Sequence, residues 1–259
     1  MGYNIQLIPK VLEPHVSMFL VKSGKDYILI DAGWPGKNFT DRLIPALKDA
    51  TKGGTLRCIL MTHGHVDHIG NLMEVAETFP DAQVAMHILE APYLAGGVSY
   101  GSIPADNLAY SILRKVLPEF VKIHLPVHRI LYLSGEEGDV SEVKGATGQP
   151  PKWAPPKGLL QYVRVPGHAP GQMAFIHKPS GSLLMADTMA NVGGGILQKQ
   201  SPKLGLVPPG SSYNLTQGTQ DIIKLSGLDF TTAFPSHDHA TGVPKAAVVE
   251  FAQGLQSAA

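Results

Sequence analysis

The sequence predicts an α/β fold built from mixed β-sheets with helices on their outer faces. Three observations carry this expectation. Short apolar or β-branched runs and amphipathic segments follow one another as β-β-β-α-β-α-β from Ile5 to His87. Several of the apolar runs end directly on histidine or aspartate, where layered α/β folds place their sites. Glycine (28) and proline (21) are abundant in the 259 residues, so turns and long loops must connect compact elements. We find no internal repeat and no linker, and expect one domain over 1–259.

Ile5–Pro9, Ser17–Ser23 and Tyr27–Asp31 read as strands bounded by turn residues such as Ser23-Gly24-Lys25-Asp26. Phe39–Ala50 sets Leu43, Ile44 and Leu47 at helical spacing, with Asn38 or Thr40 as the expected N-cap. Arg57–Met61 is an apolar strand, Gly70–Phe79 a helix with Leu72, Val75, Ala76 and Phe79 on one face, and Gln83–His87 a strand. Residues 89–158 break the alternation and read as an inserted cap. It carries Tyr93, Tyr100, Tyr110, Phe120 and Trp153, its expected helix is Asn107–Leu117, Arg129–Leu133 returns to strand, and its last part, 141–158, is a Gly/Pro-rich loop. Leu160–Val165, Met173–His177, Leu183–Ala186 and Phe230–Phe234 follow as strands, with Thr216–Leu225 and Pro244–Leu255 as helices.

Lys+Arg and Asp+Glu are 21 each, so no net charge drives binding to nucleic acid. A 44% hydrophobic and 16% charged composition excludes a disordered chain. No apolar run reaches membrane-spanning length and the first residues lack a signal-peptide pattern, so a soluble, cytoplasmic protein is expected. The single cysteine, Cys58, excludes an intrachain disulfide; inside a strand, it is expected in the core.

The chemistry concentrates in His63-x-His65-x-Asp67-His68, between a buried strand and a helix. Imidazole and carboxylate are donors that Zn²⁺, Fe and Mn accept, and a loop can aim neighbouring residues at two ions. Three further segments match: Pro166-Gly167-His168-Ala169-Pro170-Gly171, a strand ending in Asp187, and a strand ending in Ser236-His237-Asp238-His239.

HxHxDH, then PGHxPG, then a strand ending in Asp, then one ending in SHD, resembles the metallo-β-lactamase superfamily from about residue 17 to 240; Ile30-Asp31-Ala32-Gly33 is similar to its first motif. The resemblance implies an αβ/βα four-layer sandwich with two mixed β-sheets and external helices. It implies two divalent transition metals, zinc first and iron or manganese as alternatives. His63, His65 and His168 would hold one ion, Asp67, His68 and His237 the other, and Asp187 would bridge them. Asp31, Asp238 and His239 would stand behind the ligands. A metal-bound hydroxide would attack a substrate carbonyl, with Asp67 orienting the water or returning a proton.

An aspartate at 187 is unlike true β-lactamases, which leaves weak lactam opening at most. His65 in place of Glu, with no second flavodoxin-like domain, excludes a flavodiiron role. Acyl-transfer hydrolysis of a lactone, ester or thioester is expected. The resembling lactonases carry a tyrosine where this chain has Ala190, so Asn191 or Tyr213 is expected to bond the substrate, with Trp153 lining an apolar pocket. An iron sulfur dioxygenase on the same scaffold and a non-catalytic binding protein are the alternatives. Small-molecule substrates are expected, nucleic acid and membrane are not, and the 89–158 segment is either a substrate cap or a homodimer interface.

Overall fold

A computed structural model describes residues 3–8, 16–91, 94, 123–191, 203–237 and 242–258. Asp238, His239, the expected helix Asn107–Leu117 and the aromatic residues Tyr93, Tyr100, Tyr110 and Phe120 lie outside the described residues.

Two sheets form the centre. The first runs β1 (Tyr3–Ile8), β2 (Met18–Ser23), β3 (Asp26–Ile30), β4 (Thr55–Leu60), β5 (Gln83–His87), β6 (Ile130–Leu133), β8 (Lys144–Gly145) across its width. Its middle, β3 to β6, is parallel, and its edges are antiparallel. The second sheet is ordered β15 (Val243–Pro244), β14 (Thr232–Pro235), β11 (Ser182–Ala186), β10 (Met173–His177), β9 (Leu160–Arg164), β7 (Glu137–Asp139). Within it β11 and β14 are parallel and the other pairs antiparallel. β12 (Ala190–Asn191) and β13 (Leu204–Gly205) form a separate small ribbon.

Strand periodicity explains why the core divides in three. Successive residues point to opposite faces. Phe19, Val21, Ile28, Ile30 and Leu60 therefore face inward against Tyr162, Met173, Phe175 and Leu184 of the other sheet. Met18, Leu20, Leu29 and Ile59 face outward, where α1 (Lys37–Ala50) and α3 (Leu72–Thr78) cover them with Phe39, Leu43, Leu47, Leu72 and Val75. On the far side Val163, Ala174, Ile176, Leu183 and Met185 pack on α4 (Leu215–Ser226) and α5 (Lys245–Ala258) through Ile222, Leu225, Val248 and Ala252. The result is helix, sheet, sheet, helix. Both faces of each inner strand are buried, which is why these strands read as continuous apolar runs. Each fully buried Leu, Ile or Phe contributes roughly 1.5–3 kcal/mol.

Helix α1 begins two residues earlier than the cap residues the sequence offers. Gly36, at φ 128°, occupies the N-cap position in place of Asn38 or Thr40, because the backbone there is open only to glycine. Cys58 is buried in the core between the sheets, and burial pushes its thiol up to about 12, so it is inert. Among the described residues no helix is long and apolar enough to cross a membrane.

The 141–158 segment closes the end of the sandwich remote from the C-termini of the parallel strands. The Lys152 amide donates to Gln83 Oε1, at the first residue of β5 (2.6 Å), and the Gly158 amide donates to Asp139 Oδ2 (2.7 Å). Trp153 packs, half-buried, against the core between the sheets. The expected pocket-lining tryptophan is thus placed at the start of the parallel strands, whereas His63 follows their ends.

Candidate metal centre

The loops after β4, β9, β11 and β14 meet at one edge of the sandwich. After β4, the chain passes through Thr62 and His63 into α2 (Val66–Ile69), a short helix carrying Asp67 and His68. His168 lies in the β9–β10 turn, Asp187 just past β11, and His237 just past β14.

Seven side chains converge there in two groups, His63 with His65 and His168, and Asp67 with His68, Asp187 and His237. In the first, His65 Nδ1 lies 3.0 Å from His63 Nε2 and 2.7 Å from His168 Nε2. In the second, His237 Nε2 is 3.2 Å from Asp187 Oδ2 and 3.4 Å from Asp67 Oδ2, and His68 Nε2 is 3.3 Å from Asp187 Oδ1. Asp187 touches both: its Oδ2 is also 3.3 Å from His168 Nε2.

The electrostatics of the groups differ. Burial, with repulsion from neighbouring imidazoles, drives His63 well below the ordinary histidine value, His65 down to about 3 and His168 to about 4. Burial also opposes charge on His68 and His237, but the facing carboxylates together outweigh it: Asp187, Asp31 and Asp67 lift His68 well above its ordinary value, and Asp187 with Asp67 lifts His237 to about 10. Burial disfavours ionised Asp67 as well, yet His68 and His237 hold it at about 2, and the same neighbours with His168 keep Asp187 well below the carboxylate range.

The donor set fits metal ions. The candidate ligand nitrogens of His63, His65 and His168 all lie within 4.8 Å of one another, a spacing that a single cation can bridge. Buried His68 Nε2 and Asp187 Oδ1 face each other at 3.3 Å in the second group without an aligned hydrogen bond, which leaves both candidate ligand atoms turned toward the same spot.

Further buried groups hold the candidate ligands in place. Asp31, buried at φ 61°, accepts from Thr62 N (2.8 Å) and Thr62 Oγ1 and contacts His68 Nδ1 at 2.8 Å, so Nε2 of that ring faces the site. Ala186, at φ 50°, turns the chain after a register shift in β11 so that Asp187 follows. Two non-glycine residues in this left-handed region cost about 1–3 kcal/mol each, and both adjoin the centre. The PGHAPG turn is wedged from two sides. A Cβ on Gly167 would lie 2.3 Å from Gly218 Cα in α4, and one on Gly171 would lie 2.5 Å from Glu90 Cγ. The Gly167 amide donates to buried Asp221 (2.7 Å).

Of the other residues expected at the site, Asn191 and Tyr213 adjoin it through backbone bonds. The Asn191 amide donates to His237 O (2.8 Å) and the Tyr213 amide to His168 O (3.0 Å). Sequence reading missed Thr62, Glu90, Asp221 and Gln172, whose buried Oε1 accepts the Asp187 amide (3.3 Å). Thr62 precedes the histidine motif and Gln172 follows PGHAPG, so adjacency could have flagged them; Glu90 and Asp221 carry no local signal.

Comparison with known proteins agrees with this architecture. The sequence model described as Metallo-beta-lactamase superfamily matches residues 12–237. The chain belongs to the metallo-beta-lactamase superfamily. It is 25% identical over 246 residues to probable metallo-hydrolase YflN of Bacillus subtilis, covering 93% of this chain and 81% of that protein. Hydroxyacylglutathione hydrolase GloC of Haemophilus influenzae is 22% identical over 200 residues, 77% of each chain. The Rm3 metallo-beta-lactamase superposes with a TM-score of 0.60 at 18% identity, covering 98% of this chain and 90% of that one, and shows the superfamily's α/β sandwich here.

Proposed function

We propose that this superfamily member is a hydrolase that holds two divalent transition-metal ions and cleaves a lactone, ester or thioester. The observation that carries the reading is Asp187, whose single Oδ2 stands 3.3 Å from His168 Nε2 and 3.2 Å from His237 Nε2. One carboxylate shared between an all-imidazole group and a mixed group is what two adjacent cations require, because its charge offsets their repulsion. His63, His65 and His168 would hold one ion and Asp67, His68 and His237 the other. The donor set of imidazole and carboxylate, without thiolate, suits zinc, with iron and manganese accepted by the same atoms. When bound, the ions supply Lewis acidity to a carbonyl and lower the pKa of a water.

The chain's own groups do the rest. Asp67 is the most accessible of the two carboxylates in the cluster, with 19% of its side chain exposed against 3% for Asp187. Held ionised, it accepts a hydrogen bond from the attacking water and so orients it. Asp31 fixes the His68 ring, and Asn191 and Tyr213, tied to the carbonyls of His237 and His168, are the candidates for bonding the substrate. The names of YflN and GloC, a probable metallo-hydrolase and a hydroxyacylglutathione hydrolase, support hydrolysis as the reaction class.

Metal quantification on purified protein, followed by lactones, aryl esters, thioesters and β-lactams, tests this. Two ions per chain are expected, with acyl hydrolysis lost on chelation and restored by metal. One iron per chain with oxygen uptake would replace the proposal by sulfur dioxygenase chemistry.

A further inference from the structure

Glu90 is a fully buried carboxylate lying outside every motif of the site. It stands just beyond the end of β5, with its amide bonded to His87 O (2.8 Å). Its Oε1 accepts the Gly171 amide at 2.7 Å and its Oε2 the Gly64 amide at 3.3 Å. Gly64 separates His63 from His65, and Gly171 ends the turn that carries His168. The two amides belong to loops of different sheets, so one side chain spans the gap between the sheets at the metal edge.

We propose that Glu90 is a positioning residue: by holding the Gly64 and Gly171 amides on its two oxygens, it sets the separation of His65 from His168 and so the metal affinity of the His63/His65/His168 group. The proposal rests on the binuclear reading. A buried carboxylate of this kind is tolerated only where donors satisfy it, and here amides of two candidate-ligand loops do so. Carboxylate is required because each oxygen must accept. A glutamine would present an NH₂ to one of the two N–H groups and release that loop. Gly171 fits the same account, since a methyl group there would lie 2.5 Å from Glu90 Cγ and 3.1 Å from its Oε1. The sheets do not depend on Glu90 alone, because the Met173 amide also donates to Thr62 O (3.0 Å).

Cobalt(II) added to the metal-free full chain tests this, read by visible absorption and chelator competition, with the melting temperature of the metal-free protein as the control for folding. The wild type is expected to bind two equivalents. Glu90→Gln is expected to lose about 10- to 100-fold in affinity at one site, the range for groups that orient ligands. The loss should persist when the variant is combined with Asp67→Ala, which leaves the histidine group, and vanish when combined with His65→Ala, which removes it. Gly171→Ala, with the glutamate retained, should weaken the same site and serves if Glu90→Gln does not fold. Two unchanged cobalt affinities in a folded Glu90→Gln variant overturn the proposal and leave the binuclear reading standing; so does equal weakening at both sites. A wild-type chain that takes up no cobalt overturns both.

Discussion

The two halves of the candidate metal centre are built from similar donors yet differ in protonation. His63, His65 and His168 form a group whose imidazoles stay neutral because burial and mutual repulsion oppose their protonation. A few ångströms away, His68 and His237 hold protons against Asp187 and Asp67. The first group is ready for a cation. The second is an ion-pair network in which protons occupy the positions a cation would take. Burial is common to both, so the difference comes from where the carboxylates stand.

The largest test of this comparison is Asp187→Ala. It removes the group that touches both halves, and we expect metal content near zero and a fall in turnover beyond the roughly 100-fold that loss of an orienting group costs. Elemental analysis that still finds two ions would show that the halves are independent. Asp31→Asn is gentler. Asparagine tolerates the left-handed backbone at φ 61° and keeps one acceptor, but removes the charge facing His68. Affinity at the second site should fall about 10- to 100-fold with the first unchanged, measured by competition with a chelating dye.

The charge difference also predicts a difference in pH dependence. With His65 at about 3 and His168 at about 4, no proton competes in the first group above about pH 5, and its affinity should be flat from pH 5 to 8. His237, raised to about 10, and His68, raised well above its ordinary value by its carboxylates, must each lose a proton to ligate. Second-site affinity should therefore rise with pH by about tenfold per unit for each proton displaced, and fall on acidification. Equal slopes for the two sites in titrations at pH 6, 7 and 8 would erase the distinction. The smallest effect on the site is expected from Trp153→Ala. Its half-buried ring packs on the core between the sheets, so truncation should cost about 1–3 kcal/mol in denaturant unfolding while metal content and KM hold. A raised KM for apolar substrates would return it to the substrate pocket.

The sequence by itself determined the layered fold class and most of its elements. Gln83–His87 and Met173–His177 are apolar runs bounded by turns, and a buried strand leaves that signature in its own residues. The very short β7, β8, β12, β13 and β15 left none, because two or three residues paired across a sheet have no period of their own. The candidate ligands were legible because they stand just past apolar strands, His63, His65 and His168 beside glycine and Asp187 as the carboxylate that ends its strand. Only the tertiary structure decided the rest: that His168 closes on His65 across 103 residues, that Asp187 stands between the two groups, that Glu90 spans two loops, and that Trp153 packs at the remote end. These contacts join residues far apart in the chain. Their free energy comes from groups that meet only when the two sheets stack, and no local pattern records such a meeting.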